Sequence, residues 1–386
     1  MPWQEQSSMD LRMRFVIELQ TELFSMTELC RTFGISRKTG YKWAARYATD
    51  GPAGLADRSR RPHGHPASTA ATARDALVAA RRRFPTWSGA KLVQWLAKHE
   101  PDVAWPSRTT AYELLRRHGA VRQRRAPRPA PLRPRRTLTV ATTPNQVWTT
   151  DFKGEFRTRD GRECHPLTLR DAFSRCVLRC DALSAETYAA TRPRFARAFH
   201  EFGLPACLRS DNGRPFASTG LASLSRLNVW WLQLGIRLER IAPGHPEQNG
   251  SHEQFHGVLK QATTRPPAAN LAAQQRRFAR FCREYNEERP HDALGGRTPA
   301  EVYVPSTRPM PTRVPPLEYA THWDVRRVAS NGDVMWRGRR LFVSAALDQQ
   351  RIAFEEIDDA LYTVWFGAVA LARFDERRWH FTSVLL

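Results

Sequence analysis

Three segments that cannot sustain a regular helix or strand divide this 386-residue chain. Residues 51 to 69 are rich in Gly, Pro and Arg, residues 122 to 137 contain seven arginines and four prolines, and residues 305 to 316 contain five prolines. Because proline fixes its φ angle and lacks an N–H donor, these segments are predicted to be linkers. The length also exceeds one ordinary domain of roughly 100 to 150 residues. The sequence therefore predicts several domains joined by linkers.

The charge of the chain favours a polyanionic partner. Sixty Lys and Arg residues against 38 Asp and Glu residues give a net charge of +22 at pH 7, and most of the excess lies before residue 137. Lys and Arg side chains that neutralise phosphates release condensed counterions, which favours nucleic acid as the partner. An Arg-rich codon bias is the alternative, because only six of these residues are lysine. That bias explains the choice of Arg over Lys but not the shortage of acids.

The cysteine pattern and hydropathy predict a cytoplasmic protein without a membrane partner. The six cysteines are scattered and form no Cys-x-x-Cys pair, which is typical of reduced, buried thiols. The apolar stretch at residues 11 to 24 is interrupted by Glu18 and Glu22, so it is not expected to be a secretory signal. No run approaches the length of a membrane span.

The first fifty residues have the spacing of a helix-turn-helix. Apolar residues recur every four positions from Leu11 to Leu23, Ser25 and Glu28 form a capping-box signature, and a turn at residues 34 to 36 precedes another helix. A small helical hairpin without a DNA-binding role is the alternative. In a helix-turn-helix, the second helix would direct four side chains toward the major groove: Arg37, Lys38, Tyr41 and Lys42.

A second helical unit and a basic segment follow. Leu92 and Leu96 mark an amphipathic helix, and Ser107 caps another helix on which Arg108 is a candidate DNA contact. The basic segment is predicted to stay extended and to lie along a phosphate backbone. A solvated surface is the alternative for both. The candidate phosphate contacts in the segment are Arg122, Arg124, Arg125 and Arg128.

Three acids on different predicted elements suggest a metal site. Asp151 lies on a strand over residues 146 to 152, Asp211 follows a strand over residues 206 to 209, and Glu253 lies on a helix. Three such anions repel one another unless cations lie between them. Two hard divalent ions about 4 Å apart, held by carboxylates, would stabilise the attacking and leaving oxygens of phosphoryl transfer. Considered alone, each acid has a structural explanation: it stabilises a turn, caps a helix or is a charge that faces solvent.

Five segments resemble bacterial insertion-sequence transposases with a retroviral-type integrase core, the DDE transposases. They occur in the family's order and cover about residues 137 to 303, and the N-terminal helices resemble the same family. The segments are TTDFKGEF (149–156), LRDAFSR (169–175), LRSDNGRPFAS (208–218), GHPEQNGSHEQFHGVLK (244–260) and YNEERPHDALGGRTPAEVY (285–303).

This resemblance implies a ribonuclease H-like core in which Asp151, Asp211 and Glu253 are the metal-binding and catalytic acids. It implies Mg²⁺ as the cofactor, with two ions for which Mn²⁺ can substitute, and a contact of Lys260 with the DNA terminus. The interval from Asp211 to Glu253 is longer than the family's common spacing. Glu247 would shorten it, but Glu253 follows an Asn-Gly turn as the family's glutamate does.

Other residues near these acids are weaker candidates for a role in the site. Asp171 is a candidate fourth carboxylate, with a role in a turn that links it to Arg175 as the preferred alternative. The histidines His245, His252 and His256 lack the cysteine partners of a zinc site, so at most a DNA-contacting or supporting role is expected for them. His291 is expected to dock the helix predicted from residue 272 to residue 287.

The expected fold is multidomain, with N-terminal all-α helix-turn-helix units, a central α/β ribonuclease H-like core and a C-terminal small β-barrel. A hairpin at Asn331-Gly332 and strands at residues 360 to 366 and 369 to 374 suggest the barrel. The predicted order is a helix-turn-helix domain (1–50), a linker (51–69), a second helical DNA-binding unit (70–121), an Arg/Pro-rich linker (122–137), the integrase-like core (138–304) and a β-rich C-terminal domain (317–386).

The expected function is that of a DDE transposase. It would bind double-stranded DNA at the element's terminal inverted repeats, cleave it with Mg²⁺ and join it to target DNA. Because two ends must be joined together, a homo-oligomer, dimeric or higher, is expected on DNA, and the bacterial family places it at the nucleoid. The alternatives are a non-catalytic helix-turn-helix regulator, an inactive transposase remnant, and a plain ribonuclease H-like nuclease.

Overall fold

The computed structural model describes residues 7–59, 68–121, 138–218, 220–241 and 250–383. The chain divides into two compact units, Met1–Ser68 and Thr69–Leu386. In the part of the chain that is described, no helix is long and apolar enough to cross a membrane.

The first unit is a three-helix bundle, with α1 at Ser8–Gln20, α2 at Met26–Thr32 and α3 at Arg37–Asp50. The Oγ of Ser25 caps α2 in a capping box with Glu28, and the Oγ of Ser36 accepts a hydrogen bond from Thr39 N at 3.2 Å to begin α3. The predicted helix-turn-helix is therefore present. The chain then turns at Gly51–Leu55, which buries Leu55 against the helices, so the first residues of the predicted linker pack with this unit. The bundle's buried core contains Phe15, Val16, Leu29, Cys30, Trp43 and Leu55.

The second unit begins with three more helices, α4 at Ala71–Arg83, α5 at Gly89–His99 and α6 at Arg108–Arg117. Ser88 and Ser107 cap α5 and α6 through their hydroxyl oxygens. The apolar faces of the helices meet in one buried cluster that includes Leu77, Phe84, Trp87, Leu92, Leu96 and Leu115.

A mixed sheet forms the centre of the second unit. Strand β1 pairs antiparallel with β3 and parallel with β5, and β5 pairs parallel with β6. Strand β2 adds to one end of β3, and β4 pairs antiparallel with β3. This arrangement fits the expected α/β core. The strands are Val147–Phe152 (β1), Phe156–Arg157 (β2), Glu163–Asp171 (β3), Val177–Leu183 (β4), Cys207–Ser210 (β5) and Arg237–Arg240 (β6).

Helices cover this sheet through two separate buried clusters. One cluster contains residues of α7 (Tyr188–Phe202) and α8 (Arg226–Gln233), with Phe199 and Trp231 fully buried. The other contains residues of α9 (Gly250–Thr263) and α10 (Leu271–Arg283). A π-helical turn at Glu284–Glu288 follows α10, and the short α11 spans Pro299–Val302.

The C-terminal strands form two sheets that do not close on each other within the described residues, so a β-barrel is not confirmed. The larger sheet has the order β13-β12-β11-β10-β7, and β8 pairs with β9 alone. The strands are Asp324–Arg327 (β7), Asp333–Trp336 (β8), Arg339–Phe342 (β9), Arg351–Asp358 (β10), Leu361–Phe366 (β11), Val369–Asp375 (β12) and His380–Ser383 (β13).

The hairpin predicted at Asn331-Gly332 is wrong, although a turn does occur there. Strand β7 pairs with β10 and strand β8 pairs with β9. The carbonyl of Gly332 accepts hydrogen bonds from Val343 N at 2.9 Å and Ser344 N at 3.2 Å, the residues that follow β9. These bonds fix the turn against the end of β9, so the strands on either side of the turn join different sheets.

Residues 224 to 231, which lie in the long interval between Asp211 and Glu253, join the core to the C-terminal sheets. Trp230 and Trp231 of α8 pack into the core cluster. Leu224 and Val229 pack instead into the cluster that contains Trp336 of the C-terminal strands. This extended segment therefore holds the C-terminal strands against the core.

Candidate active site

Asp151 and Asp211 lie side by side at the carboxyl ends of parallel strands. The register of β1 and β5 pairs Val147 with Cys207 and Thr149 with Arg209, Asp151 lies two residues further along β1, and Asp211 directly follows the last residue of β5. In α/β sheets, side chains at the carboxyl ends of adjacent parallel strands form binding sites. The sequence brings an acid to this edge from each strand.

The pKa values of the two aspartates show that the acids lie close to one another. Burial, together with the negative charges of Asp211 and, to a lesser extent, Glu253, raises the pKa of Asp151 to about 7. Burial also raises the pKa of Asp211, with a further increase from the charge of Glu186. Without cations, these carboxylates therefore oppose one another's ionisation.

Glu253 comes to this edge on α9, where its side chain is exposed. The start of α9 is anchored by Arg170, a buried β3 residue whose Nη1 donates to Ser251 O at 2.9 Å. The guanidinium carbon of Arg170 also lies 4.5 Å from the ring centroid of Phe255. Sequence reasoning missed this anchor, because a buried arginine on a strand has no distinctive local pattern.

The donor set at the edge fits a hard divalent cation. Within the described residues, Oδ1 of Asp211 is buried and has no hydrogen-bond partner. A buried carboxylate oxygen without a donor is costly unless a cation or water satisfies it. Carboxylate oxygens are the ligands that Mg²⁺ prefers.

The ligand atoms of the three predicted acids do not all lie as close together as those of a preformed metal site. In the described ranges, the residues whose ligand atoms all lie within 4.8 Å of one another are Glu155, Glu163 and His165, and the three predicted acids do not form such a group. Glu155 and Glu163 are exposed, and His165 Nδ1 lies 3.1 Å from Glu186 Oε1. Glu247 lies outside the described residues.

Two buried histidines of α9 connect this helix to β1 and β3. Oγ1 of Thr168 lies 2.7 Å from Nε2 of His252 and 2.8 Å from Nε2 of His256. Nδ1 of His252 lies 2.8 Å from Oγ1 of Thr149, and Nδ1 of His256 lies 3.6 Å from Oδ2 of Asp151. Burial lowers the pKa of His252 and lowers that of His256 to about 3. Both imidazoles are therefore neutral at physiological pH.

Asp171 has the structural role that was preferred for it. Its Oδ1 accepts hydrogen bonds from Ser174 N at 2.7 Å and from Ser174 Oγ at 2.6 Å. Its Oδ2 accepts one from Asn145 N at 2.7 Å. The turn partner is Ser174 and not the predicted Arg175, whose guanidinium donates instead to Ser251 Oγ, and both oxygens of Asp171 are already engaged.

Glu186 is an acid near the site that sequence reasoning missed. It immediately precedes Thr187, whose hydroxyl caps α7, and its charge raises the pKa of Asp211. Glu186 and Asp211 are far apart in the chain, and only tertiary packing brings them close. Its position next to a helix cap is the one local signal that could have singled it out.

The predicted DNA-contacting residues that the structure describes are all exposed. Arg37, Lys38, Tyr41 and Lys42 project from α3, and the Nζ of Lys42 lies 4.4 Å from the ring centroid of Trp43. Arg108 is the first residue of α6, and Lys260 lies on α9. The predicted contacts in the basic segment lie outside the described residues: Arg122, Arg124, Arg125 and Arg128.

Family models match this architecture in chain order. A helix-turn-helix domain matches residues 11–63, and a homeodomain-like domain matches residues 39–115. Two integrase core domain models match residues 141–246 and 234–299. The C-terminal domain of the IS481 family transposases matches residues 323–380. The fold and these matches define a protein with helix-turn-helix domains and a ribonuclease H-like integrase core.

Two insertion-element proteins are similar in sequence. The IS407 uncharacterized 31.7 kDa protein of Burkholderia multivorans is 30% identical over 229 residues, which cover 58% of this chain and 77% of the relative. The IS476 uncharacterized 39.2 kDa protein of Xanthomonas euvesicatoria is 30% identical over 184 residues, 47% of this chain and 50% of the relative. The chain belongs to the insertion-sequence transposases with an integrase core, a polynucleotidyl transferase family, and its domains indicate DNA binding.

Solved integrase structures also align with the chain. The HTLV-2 integrase catalytic core domain in complex with magnesium, trimeric form, has a TM-score of 0.35 and 18% identity, covering 43% of this chain and 100% of that one. The simian T-cell lymphotropic virus intasome in complex with the PP2A regulatory subunit B56 gamma has a TM-score of 0.38 and 18% identity, covering 75% of this chain and 96% of that one.

Proposed function

We propose that this transposase binds the terminal inverted repeats of its element, cleaves the DNA with divalent cations and joins the ends to target DNA. The observation that carries the proposal is the position of Asp151 and Asp211 at the carboxyl ends of adjacent parallel strands, with both Asp211 and Glu253 close enough to raise the pKa of Asp151. Carboxylates that oppose one another's ionisation are suited to hold cations, which remove the repulsion.

In this proposal, Asp151 and Asp211 hold the cations from the sheet edge and Glu253 completes the site from α9. Mg²⁺, or Mn²⁺ in its place, supplies electrostatic stabilisation of the attacking and leaving oxygens of phosphoryl transfer when bound. Asp211 would contribute the buried Oδ1 that has no partner among the described residues. Lys260 lies two turns along the same helix from Glu253, where its ammonium group would bind a phosphate of the DNA terminus.

The element ends would be read by the N-terminal helices. The exposed side chains Arg37, Lys38, Tyr41 and Lys42 of α3 are positioned for the major groove, as in other helix-turn-helix proteins. Arg108 at the start of α6 would add a contact from the second helical unit. Because two ends are joined in one reaction, the working form on DNA would be a dimer or higher oligomer.

The test is a joining assay with labelled element-end DNA, a supercoiled target plasmid and Mg²⁺ or Mn²⁺. The wild type is expected to give joined products, and Asp211→Asn is expected to give none while it binds element-end DNA with unchanged affinity. Asp160→Asn, an exposed aspartate in the loop between β2 and β3, is the matched control and should join normally. Binding without joining by the wild type at any concentration of either cation would instead support a non-catalytic regulator.

A further inference from the structure

The last residue of β6 connects the end of the central sheet to the segment that leads into α8. Arg240 is half-buried, and the register of the parallel strands pairs it with Ser210, the last residue of β5. Its guanidinium donates three hydrogen bonds into residues 222 to 228. The acceptors are Ala222 O at 3.0 Å from Nη1, and Ser223 O and Asn228 Oδ1, each at 2.9 Å from Nη2. One side chain therefore holds this segment at the edge of the sheet.

The turn that accepts two of these bonds has an unfavourable backbone conformation. Ala222 and Ser223 both have a φ angle of 51°, in the left-handed region that side chains other than glycine rarely adopt. Such residues persist only where the surrounding contacts hold them in place. The planar guanidinium fork of Arg240 bonds the carbonyls of both residues, so it is one of the contacts that maintain the turn.

The same segment packs against the C-terminal strands. Leu221 and Ala222 lie against the buried cluster that contains Trp336, and Leu224 is part of that cluster. The turn is therefore held from two sides, by the C-terminal cluster and by Arg240 at the end of β6.

The residue that follows Arg240 contacts both chain neighbours of Asp211. Ile241 N donates to Ser210 O at 3.2 Å, and Ile241 O accepts a hydrogen bond from Asn212 Nδ2 at 2.8 Å. Asp211 lies between Ser210 and Asn212 in the chain, so a displacement of the backbone at residues 240 to 241 would also displace the backbone that carries the Asp211 carboxylate.

We infer that Arg240 is a positioning residue for the candidate active site, through which the C-terminal strands support the backbone that carries Asp211. This inference rests on the proposed function, because it assigns Asp211 as a cation ligand. Residues that orient a metal ligand typically change metal affinity by about 10- to 100-fold when they are replaced. The C-terminal strands would then contribute to cation binding through Arg240 and Ile241.

The first test measures Mn²⁺ binding to the full-length, EDTA-treated protein by isothermal titration calorimetry. Arg240→Met removes the three donors but keeps an unbranched apolar side chain, and it is expected to weaken Mn²⁺ binding at least about tenfold. Arg240→Lys keeps the charge but not the planar fork, so it is expected to weaken binding roughly threefold or more. Wild-type Mn²⁺ affinity in Arg240→Lys would show that charge alone is needed, which would overturn the inference.

Arg237→Met is the matched control for the loss of charge. Arg237 is an exposed residue of the same strand, and its replacement removes the same charge from the protein. Mn²⁺ affinity should be unchanged in this variant. Equal losses of affinity in Arg237→Met and Arg240→Met would contradict a positioning role for Arg240.

A double-mutant cycle tests the connection to the C-terminal strands. Leu224→Ala alone is expected to weaken Mn²⁺ binding roughly threefold, because it loosens the packing of the segment that Arg240 holds. In the Arg240→Met background it should have little further effect, since the connection is already broken. If the two fold-changes simply multiplied, the C-terminal strands would not act through Arg240 and the inference would be wrong.

Hydrogen exchange of the EDTA-treated protein, followed by mass spectrometry, gives a readout that does not depend on cations. In Arg240→Met, the amide of Ile241 is expected to exchange at least about tenfold faster, while the amides of β1 exchange as in the wild type. Unchanged exchange at Ile241 would refute the positioning role. A wild type that binds no Mn²⁺ would contradict the proposed function as well, whereas normal Mn²⁺ binding by Arg240→Met would contradict the inference alone.

Discussion

Asp151 lies near the carboxyl end of β1, Asp211 directly follows the adjacent parallel strand β5, and the charge of Asp211 contributes to raising the pKa of Asp151 to about 7. The folded protein without metal thus maintains two acids in an unfavourable arrangement. Such electrostatic strain is expected at a site whose acids bind cations. Cations would relieve it, so the same geometry links metal binding to stability.

The metal-free protein should become less stable as pH rises from about 4 to about 7. The pKa of Asp151 is raised on folding from 3.8 to about 7, so between these values the native state binds the proton that the unfolded state has released. Asp151→Asn removes this cost, on the order of 2 to 4 kcal/mol above pH 7 and none below pH 4. The free energy of unfolding by urea in EDTA at several pH values measures it.

Asp160→Asn is the control for this prediction. Asp160 is fully exposed and the Thr158 hydroxyl lowers its pKa, so its replacement should give no gain in stability as pH rises. A metal-free Asp151→Asn variant no more stable than the wild type at pH 8 would contradict the account of this site.

Gly40 of α3 allows the helix-turn-helix to pack closely. A Cβ at this position would lie 2.6 Å from Sγ of Cys30 and 2.9 Å from Sδ of Met26. Gly40→Ala is therefore expected to destabilise the N-terminal helices by about 1 to 3 kcal/mol and to weaken DNA binding, despite the higher helix propensity of alanine. Thermal unfolding followed by circular dichroism measures the change.

The matched substitution is Gly257→Ala on α9. Among the described residues, no atom outside the backbone of its own helix lies within 4 Å of a Cβ at Gly257, so the alanine should stabilise by roughly 0.5 to 1 kcal/mol through helix propensity alone. If both substitutions stabilised the protein, the close packing around Gly40 would be incorrect.

Leu224 should be essential for attaching the C-terminal strands to the core. It is 1% exposed and packs in the cluster that contains Trp336. Leu224→Ala is expected to lower the free energy of unfolding by about 2 to 5 kcal/mol. Met335→Ala on β8, where the side chain is 55% exposed, should change it little, and an equal loss in both variants would contradict this packing.

Lys38 is expected to contact a phosphate of the element end. Each phosphate contact contributes about 0.9 to the slope of log affinity against log salt concentration, so Lys38→Ala should reduce this slope by about 1. Arg14→Ala is the control, since Arg14 on α1 pairs with Glu18 at 2.9 Å and is not predicted to contact DNA. Fluorescence anisotropy over a salt series measures both slopes, and equal slopes for Lys38→Ala and the wild type would rule out the contact.

Local signals in the sequence were enough to predict the helices and the acids. The Ser25 and Glu28 capping box marks the start of α2, and the position of Asp211 after a short strand indicates a site at the edge of a sheet. Such features depend on residues a few positions apart. They can therefore be read without knowing the fold.

The features that depend on tertiary contacts could not be predicted in this way. Cys176 and Cys180 have the spacing of residues on one face of a strand, but they join different buried clusters. A shift in the pairing register of β3 and β4 between Leu169 and Arg170 accompanies this difference. The closeness of Glu186 to Asp211 depends on tertiary packing. The separation of β7 from β8 depends on hydrogen bonds to Gly332 from residues beyond β9.

The most direct test of the metal site is anomalous diffraction from crystals soaked in Mn²⁺. The account predicts an anomalous peak between the carboxylates of Asp151 and Asp211, within coordinating distance of Glu253, and its loss in Asp211→Asn crystals. A peak only at Glu155, Glu163 and His165, or one coordinated by Glu247 in place of Glu253, would contradict the assignment of these three acids.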